Sequence, residues 1–135
     1  MQVSNAHQPT REQWRDLQQH DSGGPIYMLN LLKFRDKAAY ADGRTTTLSG
    51  EEAYAIYGRA VSRLVLEAGG KLVFSGRVEG TMVGVVEDSW DSVAIMMYPS
   101  LAVMGQITGS AAYAEIHVHR DAGLAGQILI KTSKP

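Results

Sequence analysis

The chain has 135 residues, 44% hydrophobic and 20% charged, a length and balance that fit one globular domain and exclude a disordered chain. Thirteen basic against fourteen acidic side chains leave a net charge of -1 with His neutral, which argues against nucleic acid or a polybasic membrane anchor as partner. Cys is absent, so there is no disulfide framework, thiolate nucleophile or Cys-based metal site.

Residues 1–25 read as an N-terminal extension, polar over 1–9. They lack the basic-then-apolar pattern of a signal peptide. No apolar run in the chain approaches ~20 residues, so the expected location is the cytoplasm. Thr10 reads as the N-cap of a short helix over Arg11–His20, with Trp14 and Leu17 on its apolar side, and Gly23-Gly24-Pro25 stops it.

Ile26–Phe34 predicts a strand that is apolar on both faces. Its period of two puts Met28, Asn30, Leu32 and Phe34 on one face and Tyr27, Leu29, Leu31 and Lys33 on the other. Residues 35–50 are polar and rich in turn formers, with Asp42-Gly43 the clearest signal. A connection of that length suits a lid or a dimer strap. Ser49 or Gly50 then opens a second helix with Glu51 and Glu52 in its first turn. Ala53, Ile56, Tyr57, Ala60, Val61, Leu64 and Ala68 form its apolar stripe, Arg59, Ser62 and Arg63 face water, and Gly69-Gly70 ends it.

Lys71–Val78 alternates as a strand, which an apolar stretch prolongs through Gly80–Val86 with glycines as bulges. Glu87-Asp88-Ser89 turns the chain into a strand over Trp90–Tyr98, stopped by Pro99. Ser100 caps a helix ending near Ile107, Thr108-Gly109 interrupts, and Ser110 caps a further helix that Gly123 follows. Leu124–Lys131 is a last strand. The order β-α-β-β-α-β behind a short helix predicts an α+β, ferredoxin-like domain over 26–135, one antiparallel sheet with helices on one face. The first strand is apolar on the other face too. The sheet of a second copy is the simplest cover, which predicts a homodimer.

Asn30-Leu31-Leu32-Lys33-Phe34-Arg35, Ala53-Tyr54, Tyr57-Gly58, Gly69-Gly70-Lys71 and Ser75-Gly76 follow one another in a familiar order. Trp90-Asp91, Tyr98-Pro99-Ser100, Tyr113 and His119-Arg120 with Ala122 and Leu124 continue it. Over residues 26–131 the chain resembles the domain-of-unknown-function family 1330, of the dimeric α/β-barrel superfamily. That resemblance implies a dimer and a site between the sheet and its coverings, beside the first strand. Muconolactone isomerases and antibiotic-biosynthesis monooxygenases belong to the same superfamily. The chain departs from the family pattern after Ser100, where Leu101, Ala102, Met104 and Ile107 hold the places of basic residues, a Phe and a Met, and Gly105 lies within the helix.

Asn30 and Lys33 interrupt an apolar strand, and a buried amide or ammonium needs a partner. Asn30 could hold a substrate oxygen, or bond a backbone group structurally. Asn30, Tyr57 and Arg120 are the catalytic candidates. Tyr57 lies mid-stripe on its helix, and Arg120 shares a face with Tyr113, Ile116 and His117. Arg120 could clamp a carboxylate or pair with Asp91 or Asp121. Lys33, Tyr54, Trp90, Tyr98 and His119 are candidate substrate-binding residues, each with a packing or pairing alternative. His117-Val118-His119 diverges by about 200° on a helix, which opposes a metal site. No phosphate loop is present, so no cofactor is expected. Three readings follow: a cofactor-independent enzyme of monooxygenase or isomerase type acting on a small carbonyl or phenolic metabolite, a non-catalytic small-molecule-binding or stress-associated dimer, and, if there is no cavity, a purely structural dimer domain.

Overall fold

A computed structural model describes residues 3–135 of the chain. Helix α1 spans Arg11–Gln19, strand β1 Ile26–Phe34, helix α2 Gly50–Glu67, strand β2 Lys71–Arg77 and strand β3 Ser92–Tyr98. Helices α3 (Leu101–Thr108) and α4 (Ala111–Gly123) then lead to strand β4 (Leu124–Thr132). The four strands form one antiparallel sheet in the order β2-β3-β1-β4. This is the ferredoxin-like topology expected from the order of elements.

Each helix begins at the cap its sequence announces. Thr10 and Ser49 accept from the backbone of Gln13 and Glu52, whose side chains return the bond to the cap backbone. Ser100 and Ser110 cap α3 and α4 in the simpler way. The second helix buries Ala53, Tyr57, Val61 and Val65 at intervals of four. Val65 therefore holds the central position that the predicted stripe gave to Leu64 and Ala68, and Ser62 is half-buried rather than solvated.

Ile26, Met28, Met96 and Tyr98 carry the covered face of the sheet against Tyr57, Val61, Val65, Leu101, Met104 and Ile107. Burial of side chains such as Ile26, Leu32 and Val65 contributes about 2 kcal/mol each. The ends of α2 and α4 cross so tightly that a Cβ on Gly50 would strike the Arg35 and Gly123 carbonyls. Residues 35–50 are not a loose lid: Ala39 N donates to Ala122 O at 3.0 Å, and Ala38 and Tyr40 are buried.

Two strand boundaries depart from expectation. The strand β2 ends at Arg77, and Gly80–Val86 is irregular, because no neighbouring strand offers hydrogen bonds to it there. The strand β3 starts at Ser92, leaving Trp90 outside, since Asp91 is used to close the turn: its N donates to Leu32 O and its Oδ2 accepts from Phe34 N. Gly123 is the last residue of α4 rather than the one after it. The face of the sheet opposite the helices carries Tyr27, Leu29, Leu31, Val93, Ile95 and Met97, all half-buried, beside Phe74 and Ile130, both exposed.

Candidate functional site

The polar interruption of β1 lies on the helix-facing side of the sheet, in line with buried Met28 and Leu32. Asn30 Nδ2 donates to Met28 O at 3.1 Å and Ala94 O at 3.3 Å. Its Oδ1 accepts from Gln127 Nε2 at 2.8 Å. Gln127 pairs with Leu32 across β1 and β4, so the two amides meet diagonally on one face. Gln127 Oε1 in turn accepts from Arg120 Nη2, which also donates to the His7 carbonyl, while Nη1 donates to Asp121 Oδ1 at 2.9 Å. Arg120 and Gln127 are buried. A guanidinium is thus wired through an amide to the middle of the sheet, with a single carboxylate beside it.

Tyrosines fill the adjoining space. Tyr57 Oη and Tyr113 Oη lie 3.2 Å apart. Ring contacts run from Phe34 through Tyr54, Tyr57 and Tyr113 to His117, with centroid separations of 5.4 to 6.0 Å. Burial pushes the Tyr54 phenol up to about 12, although Arg120 draws it the other way. Burial also raises Tyr57 and Tyr98, and the neighbouring tyrosines add to the shift. These phenols stay protonated at neutral pH and act as neutral hydrogen-bond donors. Asp121 Oδ2 lies 3.2 Å from His117 Nε2, while His117 Nδ1 is buried without a hydrogen-bond partner among the described residues.

The catalytic candidates therefore gather in one layer: Asn30 and Arg120 meet through Gln127, and Tyr57 reaches Arg120's surroundings through Tyr54. Tyr98 borders the same group. Three candidates are placed elsewhere. Lys33 Nζ donates to Ser89 O at 3.0 Å and to Asp88 Oδ1 at 3.3 Å; desolvation opposes its charge, but Asp88 and Asp91 outweigh it and raise its pKa. His119 Nδ1 meets Tyr40 Oη at 2.7 Å on the outer side of α4. Trp90 sits at the root of the 78–91 segment.

Gln127 and His117 were not among the sequence candidates. A glutamine inside the apolar strand Leu-Ala-Gly-Gln-Ile-Leu-Ile is the same signal that singled out Asn30. An open hollow of about 680 Å³ lies beside the outer end of the Arg120 chain, lined by Asn5, Ala6, His7, Gln8, Arg35, Ala39, Ala41 and Asp121. A second, of about 430 Å³, lies between α1 and α3. Neither lining includes Asn30 or Tyr57. Among the described residues no group of three or more His, Cys, Asp or Glu could hold a metal ion.

Residues 38–132 match the family model "Domain of unknown function (DUF1330)". The chain belongs to the DUF1330 family. It is similar to RPA0582 of Rhodopseudomonas palustris, described as a protein of unknown function, at 36% identity and TM-score 0.84, covering 98% of this chain and 100% of that one. Methylated RPA0582 matches at 37% identity and TM-score 0.87, over 98% and 97% of the two chains. A Caulobacter crescentus CB15 protein named as a candidate antibiotic biosynthesis monooxygenase shares the fold at 12% identity and TM-score 0.55, over 90% and 98%. So does a dimeric Bacteroides fragilis protein of unknown function and ferredoxin-like fold, at 10% identity and TM-score 0.50, over 82% and 97%. No curated protein matches the chain. The N-terminal helix lies outside the DUF1330 match yet within the span shared with RPA0582. Among the described residues no helix is long and apolar enough to cross a membrane.

Proposed function

We propose that this DUF1330 protein is a homodimeric, cofactor-independent enzyme that moves a proton on a small, largely apolar carbonyl or phenolic metabolite. The observation that carries this reading is the buried Arg120 guanidinium, held by Gln127, Asp121 and the His7 carbonyl beside tyrosine hydroxyls that remain neutral. A fixed cation and neutral donors in a low-dielectric layer stabilise an oxyanion as it develops. His117, oriented by Asp121, is the group suited to accept a proton from the adjacent carbon and return it. The isomerase-like branch is favoured for that reason. Asn30 is then a positioning residue, because both its donors are spent on backbone carbonyls.

The apolar open face of the sheet supports the dimer, and a dimeric protein of the same fold supports it by analogy. The test is a panel of enol lactones, activated phenols and enolisable ketones offered to purified protein, with Asn30→Ala and His117→Gln alongside. Turnover by wild type that falls at least ten-fold in both variants is expected. No turnover by wild type, or unchanged turnover in the variants, overturns the reading.

A second reading has its own support. Asn30 bonds Met28 and Ala94 carbonyls as a purely structural amide would, which fits a non-catalytic binder of small molecules. Native mass spectrometry that finds a copurifying ligand in a protein inactive on the whole panel decides for it.

A further inference from the structure

The least expected surface of the chain is the segment between β2 and β3. Met82 is 98% exposed, Val83 88% and Val85 96%. A monomer gains nothing by presenting three such side chains together. The segment is rooted where the open face ends: Val78 N donates to Asp91 O, Asp91 N donates to Leu32 O, and Lys33 Nζ holds Asp88 and Ser89. It carries Glu79, Glu87, Asp88 and Asp91 against the cation Lys33, which pairs with Asp88 and Asp91, so this end stays net acidic. The opposite end of the same face is basic. Lys71 pairs with Met97, whose other neighbour is Tyr27, and Lys134 Nζ lies 5.3 Å over the Tyr27 ring.

We propose that residues 80–86 are an arm that crosses onto a second copy of this chain and closes over the basic end of the partner's open face. The proposal rests on the homodimer reading above and adds to it. Two-fold symmetry with the strands opposed places the acidic, apolar end of each protomer on the basic end of the other. The reach suffices: half of the segment, about seven residues, extends about 23 Å. Four strands span about 15 to 19 Å. Met82, Val83 and Val85 then lie over the partner's Tyr27 and Met97 row at that basic end, and the face is shielded from water at its rim as well as its centre.

Sedimentation across a dilution series tests this on the full chain, with wild type beside the triple variant Met82→Asp, Val83→Asp, Val85→Asp. These side chains are solvent-facing in the protomer, so the thermal midpoint measured on fully dissociated protein should not change. The expected result is a wild-type dimer whose dissociation constant rises at least ten-fold in the triple variant. A second measurement uses the absence of Cys: Val83→Cys protein mixed with Lys71→Cys protein should form an inter-chain disulfide faster than either alone. A wild-type dimer unaffected by the triple variant overturns the arm and leaves the sheet-to-sheet dimer standing. Monomeric wild type at micromolar concentration overturns both. Binding of wild type to phosphatidylcholine vesicles that the triple variant loses, with the dimer constant unchanged, assigns the segment to lipid instead and overturns the proposal.

Discussion

Gln127 donates to Asn30 through Nε2 at 2.8 Å and accepts from Arg120 through Oε1, so one amide joins a cation on α4 to the central pair of strands. Arg120 keeps Asp121 and the His7 carbonyl when that bond is lost, but Asn30 Oδ1 keeps no donor. Replacing Gln127 by Leu removes a bond from a buried guanidinium and from a buried amide together, a cost of about 2–4 kcal/mol. Urea denaturation should show that loss, and a change under 1 kcal/mol would count against the chain of bonds described.

The Tyr57 and Tyr113 hydroxyls, 3.2 Å apart, are predicted to couple. In a double-mutant cycle of Tyr57→Phe and Tyr113→Phe the interaction should amount to about 1 kcal/mol. Alkaline titration offers a separate check. A phenol whose pKa is raised in the folded state stabilises the fold below its unfolded value, near 10, and that contribution is lost as pH rises toward the folded value. For Tyr54 the window runs from its ordinary value of 10.0 to about 12. Phenolate absorbance should therefore show Tyr54, Tyr57 and Tyr98 ionising above the ordinary phenol value or together with unfolding.

His119 gives the opposite end of the pH scale. Desolvation, and then the nearby Arg44, lower its pKa. Its stabilising effect is whole above the unfolded value, about 6.5, and is lost as pH falls through the folded one. The ring shares a hydrogen bond with the Tyr40 hydroxyl through Nδ1, so acid should loosen the 35–50 segment first. The thermal midpoint of wild type should fall between pH 7 and pH 5 more steeply than that of His119→Gln; equal slopes would contradict the assignment.

Trp14 packs into the space above Gly105, where a Cβ would stand 3.3 Å from the indole. Gly105→Ala sets a helix-propensity gain of about 1 kcal/mol against that crowding, and the two should nearly cancel. Gly105→Leu should expel the indole. In a Trp90→Phe background the Trp14 emission would then shift to the red, and absence of a shift would place α1 elsewhere.

Local chemistry made much of this fold readable. The apolar run Ile26–Phe34 has one strand solution, and Thr10, Ser49, Ser100 and Ser110 each precede a periodic stretch that needs a cap. Asn30 and Arg120 were visible as polar groups on apolar faces. Their meeting through Gln127 depends on the register of β4 against β1, which no local pattern contains. The same limit explains Gly105, which costs a helix stability until Trp14 arrives from residues far earlier in the chain. At Gly80–Val86 local preference misled: alternating valines suit a strand, but a strand exists only where a neighbour pairs with it.

The diagonal contact between Asn30 and Gln127 also acts as a key to alignment. If β4 slid by one residue along β1, Gln127 would turn to the open face and Gly126, which cradles the Asn5 side chain, would turn inward. The guanidinium would then lose its link to the sheet, and Asn30 Oδ1 its donor. Misaligned sheets are thereby penalised out of proportion to the few bonds involved, so these amides select one pairing of the strands from its near neighbours.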